Sequence, residues 1–247
     1  MASIRLTVGQ GTDRGLRRQL NEDALLVAPP LFAVADGMGG HEAGDVASRI
    51  CVETLQLDPA GREVNGVHAG QAITREELRR RLAAADQRIR QAAGSRAGTT
   101  VSGVALVEAE GRPAWLVFNV GDSRTYRLRQ GRLEQITRDH SEVQELQDLG
   151  RITAQQALVH PRRNVITRAL GTGEDAEPDF WLLPVEPGDR MLICSDGLTG
   201  EVSDDHLHTI LATLAHPQDV VDSLIQAALR SGGRDNITLV VIDAAAD

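Results

Sequence analysis

Two distant stretches of the chain run from apolar residues straight onto a carboxylate and a glycine: Leu31-Phe32-Ala33-Val34-Ala35-Asp36-Gly37 and Met191-Leu192-Ile193-Cys194-Ser195-Asp196-Gly197. A short apolar run bounded by glycine reads as a buried strand. A charge at its end is tolerated only where it is solvated, paired or bound to a cation. The two runs therefore require a fold in which core strands deliver carboxylates to the rim of the core. If the rim is shared, the carboxylates converge on one cation.

Strand-like runs recur at Ile4–Val8, Ala24–Val27, Leu31–Ala35, Thr99–Val107, Ala114–Val120, Ser123–Leu128, Arg132–Ile136, Arg190–Ser195 and Ile237–Ile242. Arg129-Gln130-Gly131 and Pro29-Pro30 are turn signals that pair neighbouring runs as hairpins. Helical spacing is clear in Leu78, Leu82, Ala85, Ile89 and Ala92, in Val46, Ile50 and Leu55, and in Val220 to Leu229 behind Pro217. Ser203 with Asp204 and Asp205 reads as the start of another helix. Strands and helices each come in bunches, without the strand-helix alternation of a doubly wound sheet. That order points to an α+β fold, antiparallel sheets covered by helices. Residues 57–72 read as a loop, and residues 141–172, polar and broken by Gly150 and Pro161, as an insertion lying over the core.

Composition narrows the function. The chain has 247 residues and a formal net charge of −9, which disfavours a nucleic-acid binder. Aromatic residues make up only 2%, so the core rests on Leu, Val, Ile and Ala. No run approaches the ~18 apolar residues of a membrane span, and the first residues lack the pattern of a signal peptide. The two cysteines, Cys51 and Cys194, both lie in apolar patterns, so a reducing cytoplasm is expected rather than a disulfide framework.

Acidic residues stand next to Gly or Asn at five strand termini: Glu22 with Asp23, Asp36, Asp122, Asp196 and Asp235. Oxygen-only ligation of this kind suits Mg²⁺ or Mn²⁺, and no His/Cys cluster has zinc-like spacing. Arg18 stands four residues before Glu22, where a guanidinium can grip a phosphate through two parallel hydrogen bonds. Other phosphate chemistries fail on the letters. Neither cysteine is followed by Arg at the sixth position, neither Asp-Gly run continues as Asp-x-Asp, and no phosphate-cradling Gly-Lys-Ser/Thr run exists. In Gly37-Met38-Gly39-Gly40-His41-Glu42, Glu42 stands where a dinucleotide fingerprint needs Gly. Direct attack on phosphorus by metal-activated water is what remains.

Seven segments, in order, resemble the bacterial type-2C, metal-dependent serine/threonine protein phosphatases: Arg18-Gln19-Leu20-Asn21-Glu22-Asp23, Ala35–His41, Gly98-Thr99-Thr100, Gly121-Asp122-Ser123-Arg124, Ile166–Gly171, Ser195–Leu198 and Asp235-Asn236. The resemblance spans about Asp13 to Ile242. It implies a single catalytic domain over 1–247, a central antiparallel β-sandwich flanked by helices on both faces in four αββα layers, and a flap at about 141–172. It implies a binuclear Mn²⁺ or Mg²⁺ centre, with Asp36 bridging both ions, Gly37 offering its carbonyl, Asp196 and Asp235 holding one ion and Glu22 serving the other. Asp122 matches the ligand of a third ion, Arg18 the arginine that grips the phosphate, and His41 a general acid for the leaving oxygen. The implied substrates are phosphoserine and phosphothreonine on proteins, in opposition to a bacterial kinase. The alternatives are a catalytically inactive phosphatase-like module that binds phosphoproteins, against which the retention of all five carboxylates argues, and a phosphatase of small phosphoesters. Gly98-Thr99-Thr100 is expected to pack rather than to react, and His140 to be structural.

Overall fold

The computed structural model describes residues 4–39, 43–57, 73–94, 97–173 and 176–246. Eleven strands among them form two antiparallel sheets. The first contains β1 (Ile4–Asp13), β11 (Ile237–Ala246), β10 (Arg190–Cys194), β7 (Arg124–Arg129) and β8 (Arg132–Gln135), in that spatial order. The second contains β2 (Asp23–Ala28), β3 (Leu31–Gly39), β5 (Val101–Ala109), β6 (Arg112–Val120) and β9 (Asp179–Pro184), with β4 (Ala97–Thr99) paired to the far end of β3.

The two-residue period of each strand divides the core into three parts. Phe32 and Val34 of β3, Trp115 and Val117 of β6, Met191 and Ile193 of β10, and Val240 and Ile242 of β11 meet between the sheets. The alternate residues face outward. Leu31, Ala33 and Ala35 pack with Leu116 and Phe118 under α1 (Ala43–Gln56) and α2 (Arg75–Ala93). Leu192, Cys194, Leu239 and Val241 pack under α6 (Asp204–Thr213) and α7 (Pro217–Ser231). The layering is therefore α, β, β, α, as expected, and it explains why the central strands are apolar on both faces.

Three local expectations change. The fully buried face of α1 is Ala47, Cys51 and Leu55, while Ile50 packs against that cluster only partly buried and Val46 is half-buried; the small Ala47 and Cys51 let the helix lie close to β3. The sequence pattern carries no signal for β9, an edge strand whose residues, Phe180 and Trp181 among them, are only half-buried or exposed. The insertion from 141 carries two short helices, α3 (Glu142–Asp148) and α4 (Ala154–Leu158), capped by Ser141 and by a Thr153–Gln156 capping box. Backbone bridges between Ser141 and Ile166 and between Thr99 and Leu170 tie its base to the sheets. Most of the loop expected at 57–72 (residues 58–72) lies outside the described residues, and among those described no helix is long and apolar enough to cross a membrane.

At the end of β10 remote from Asp196, Asp189 is fully buried between Arg127 and Trp115. Its carboxylate accepts from the Arg127 guanidinium at 2.7 and 3.1 Å and from the Trp115 indole at 3.2 Å. No side-chain polar atom of Asp189, Arg127 or Trp115 is both buried and unpartnered, which is the condition for burying such a pair.

Candidate active site

Asp36 was expected to end a strand. Instead β3 continues to Gly39 and changes partner, pairing with β5 over Leu31–Val34 and with β4 over Gly37–Gly39. Asp36 sits at the changeover. Its N–H donates to Thr100 Oγ1 at 3.2 Å, and its C=O accepts from the Thr100 N–H and the Thr99 hydroxyl, both at 2.9 Å. The Thr100 hydroxyl in turn shares a 2.7 Å hydrogen bond with Ser123, next to Asp122. The Gly98-Thr99-Thr100 segment thus holds the backbone of one carboxylate and links it to the turn that carries another.

Asp196 also lies beyond its expected place. β10 stops at Cys194, Ser195 is the N-cap, and Asp196 opens the short helix α5 (Asp196–Thr199). The Ser195 hydroxyl donates to Asp23 Oδ2 at 2.8 Å and accepts from the Thr238 N–H at 3.0 Å. Since Asp23 pairs with Asp36 across β2 and β3, this hydrogen bond fastens the two sheets together directly beneath the site.

Asn236 positions the remaining pair. Its amide donates to the carbonyls of Arg14 and Leu20, both at 2.9 Å, and its oxygen accepts from the Glu22 N–H at 2.9 Å. The loop bearing Arg18 and Glu22 is thereby clamped to the start of β11, beside Asp235. Arg18 donates to Asp235 at 2.7 Å and lies 4.0 Å from Glu22. Gly37 is needed for packing as well as for its carbonyl: a Cβ there would meet the Glu22 carbonyl at 2.5 Å and collide with that of Gly44. At Gly197 a Cβ would collide with the carbonyl of Asn236, so close approach, more than a turn, demands glycine.

Arg18, Glu22, Asp36, Gly37, Asp122, Asp196 and Asp235 all line one open cleft of about 370 Å³. Thr167 and Arg168, where the 141–172 segment returns to the sheets, form its other wall. Of the expected residues only His41 is missing from this arrangement, because it lies outside the described residues.

The carboxylates are crowded at a cost. Burial, reinforced by Asp23 and Asp196, holds the Asp36 carboxyl well above the usual range. Burial with Asp196 and Asp139 nearby pushes Asp122 up to about 8. Burial raises Asp23 to about 7 against the opposing hydrogen bonds of Thr238 and Ser195. Asp196 is raised by burial and by Asp235, with a hydrogen bond to Asp36 acting against them. Arg18 is raised by its bond to Asp235. Among the described residues no three acidic, His or Cys side chains are drawn to chelating distance of one point. Arg18 occupies Asp235, and Asp36 and Asp196 bond to each other. In kind, though, half-buried oxygen donors whose like-charge repulsion is only partly offset fit a hard divalent cation. Ser195, Ser123 and Asn236 carry no sign of their supporting roles in the sequence beyond standing next to Asp196, Asp122 and Asp235.

A sequence model of the protein phosphatase 2C family matches residues 10–235. The serine/threonine protein phosphatase PstP of Mycobacterium tuberculosis is 40% identical over 248 residues, covering 94% of this chain and 44% of that protein. The chain thus spans less than half the length of that relative. The serine/threonine phosphatase stp of Listeria monocytogenes is 38% identical over 242 residues, covering 94% of this chain and 93% of the relative. The crystal structure of the PstP catalytic domain in complex with two manganese ions superposes with a TM-score of 0.83 at 35% identity, covering 98% of this chain and 100% of that one. PppA of Pseudomonas aeruginosa, described as a key regulatory component of the T6SS, superposes with a TM-score of 0.80 at 41% identity, covering 98% of this chain and 99% of that one.

Proposed function

The chain belongs to the protein phosphatase 2C family, and from that membership we propose that it hydrolyses phosphoserine and phosphothreonine on proteins with the help of two Mn²⁺ or Mg²⁺ ions. The observation that carries the reading is the meeting of mutually repelling carboxylates, buried at Asp122 and half-buried elsewhere, with a half-exposed arginine in one cleft. In this reading Asp36, Glu22, the Gly37 carbonyl, Asp196 and Asp235 would hold the two ions, with Asp36 shared between them, and Asp122 would serve a third. When bound, the ions lower the pKa of water and neutralise charge on the phosphoryl group.

The side chains do the rest. Arg18, half exposed, lies against Asp235 and could instead turn its fork to two phosphoryl oxygens once Asp235 is engaged as a ligand. Arg18 is thus a substrate group held in reserve by an acidic residue of the same site. His41 is assigned as the general acid for the leaving serine or threonine oxygen. The whole of 1–247 acts as one catalytic domain, with residues 141–172 as a flap against which the substrate protein lies. The substrates are phosphoproteins, a Ser/Thr kinase and its targets among them. Two buried, unpaired cysteines support a cytoplasmic setting.

The test is hydrolysis of an aryl phosphate with and without Mn²⁺ or Mg²⁺, in the wild type and in Asp36→Asn and Asp196→Asn. Activity that requires the ion and falls by about 100-fold or more in both variants is expected. Turnover that is independent of metal and unchanged in the variants refutes the reading.

A further inference from the structure

We propose that His140 is a positioning residue that locks the Gly121–Asp122 turn to the base of the 141–172 segment, so that the Asp122 carboxylate and the opposite wall of the cleft hold one relative placement. This rests on the functional reading above, and it gives a task to a side chain that the reading leaves idle.

His140 is buried, 6% exposed, and is bonded on every side. Its Nδ1 accepts from the Gly121 N–H at 3.1 Å. That bond requires a lone pair on Nδ1 and therefore places the ring proton on Nε2. Nε2 then donates to Asp179 Oδ2 at 3.1 Å. Arg168 Nη1 lies 3.4 Å from Nε2, but two donors cannot bond each other, and its acceptors are the same carboxylate, Asp179 Oδ1, at 3.3 Å and the Glu177 carbonyl at 3.5 Å. The backbone of His140 repeats the connection: its N–H donates to the Gly121 carbonyl at 2.9 Å, and its C=O accepts from the Thr167 N–H at 2.8 Å.

Four segments therefore meet at one residue: the turn before β7, the start of the insertion, its return at Thr167 and Arg168, and β9 through Asp179. Asp122 follows Gly121 directly, and Asp122, Thr167 and Arg168 all line the cleft. Gly121 has φ +104°, and a Cβ on it would meet Thr100 at 2.6 Å, so the turn requires glycine. Glycine is the most permissive residue, which leaves the direction of the turn to be set by its hydrogen bonds to His140. Burial also lowers the His140 pKa, against the pull of Asp179, which favours the neutral ring that the Gly121 bond needs.

The ring's two ends can be cut separately. In His140→Asn, Oδ1 stands where Nδ1 stood and keeps the Gly121 bond while the Asp179 bond is lost. In His140→Gln, the amide nitrogen keeps the Asp179 bond and Gly121 loses its acceptor. Each variant is checked for folding by thermal melting, then assayed on an aryl phosphate, and its amide hydrogen exchange is followed at Gly121, Thr167 and Arg168. The expected result is a fall in kcat of about tenfold in both variants, the equivalent of one hydrogen bond. KM stays within about twofold, as a positioning defect requires. Exchange quickens at both ends of the ring in each variant, including the end whose bond was kept. Wild-type kcat in both variants overturns the proposal, and so does faster exchange confined to the end that was cut. If the wild type hydrolyses no phosphoester, the functional reading fails, while the exchange measurements still decide whether His140 couples the two walls.

Discussion

Without a divalent ion, the protein should lose stability as pH rises from 6 to 8, and Asp122→Asn should remove a measurable part of that loss. Burial and the neighbouring acidic residues hold the folded Asp122 carboxyl at about 8, against 3.8 for the free group. Between those values the folded state binds a proton that the unfolded chain has released, so each rise in pH favours unfolding. At pH 6 Asp122 is protonated in the folded protein, and at pH 8 it is half ionised. Integrating the linkage over this interval gives a loss of about 2 kcal/mol from this one group. For a chain of this size that corresponds to about 4–8 °C in Tm. The assay is urea unfolding in EDTA at pH 6, 7 and 8 for the wild type and Asp122→Asn. The variant should show a slope shallower by about 1 kcal/mol per pH unit, close to the single-proton limit. Saturating Mn²⁺ should reverse the sign in the wild type, because an ion that binds ionised carboxylates stabilises the folded state more as protons leave. Identical slopes in the two proteins, or metal-free stability that rises with pH, would refute the account of the cluster as a store of unrelieved repulsion.

Two further outcomes follow from the ion pairs. Asp189→Asn leaves the buried Arg127 guanidinium without its counter-charge and should cost about 3 kcal/mol in urea unfolding; a change below about 0.5 kcal/mol would mean that the pair is dispensable. Arg18→Ala should raise KM for a phosphorylated substrate about tenfold with a smaller change in kcat, and an unaltered KM would remove Arg18 from the phosphate site.

Much of this fold is legible in the letters because its core strands are short, apolar and bounded by glycine or acidic residues. Phe32 and Val34, or Met191 and Ile193, announce themselves. Strand β9 does not, since at the sheet edge only part of its surface is buried and Phe180 and Trp181 look like any exposed pair of aromatics. The face of α1 was misread for a related reason: Val46 and Ile50 are the more hydrophobic residues, yet close approach to β3 favours Ala47 and Cys51. In the site, the residue types were readable and the supports were not. Nothing local in Ser195 says that its hydroxyl reaches Asp23, 172 positions away.

The sequence alone determined the kinds of donor: oxygen ligands, one arginine, and no usable thiol or zinc-type cluster. Side-chain chemistry is a local property, and the order of the seven motifs adds the family. Only the tertiary structure decided how those groups interact. It put Asp36 at a change of strand partner rather than at a strand end, opened a helix on Asp196, set Arg18 against Asp235, and made His140 the joint between two walls of the cleft. Each of these depends on which strands pair and in what register, and register is settled by burying both faces of two sheets at once. The two Asp-Gly runs are alike as sequence. They differ in the folded protein because one continues along a strand and the other turns into a helix.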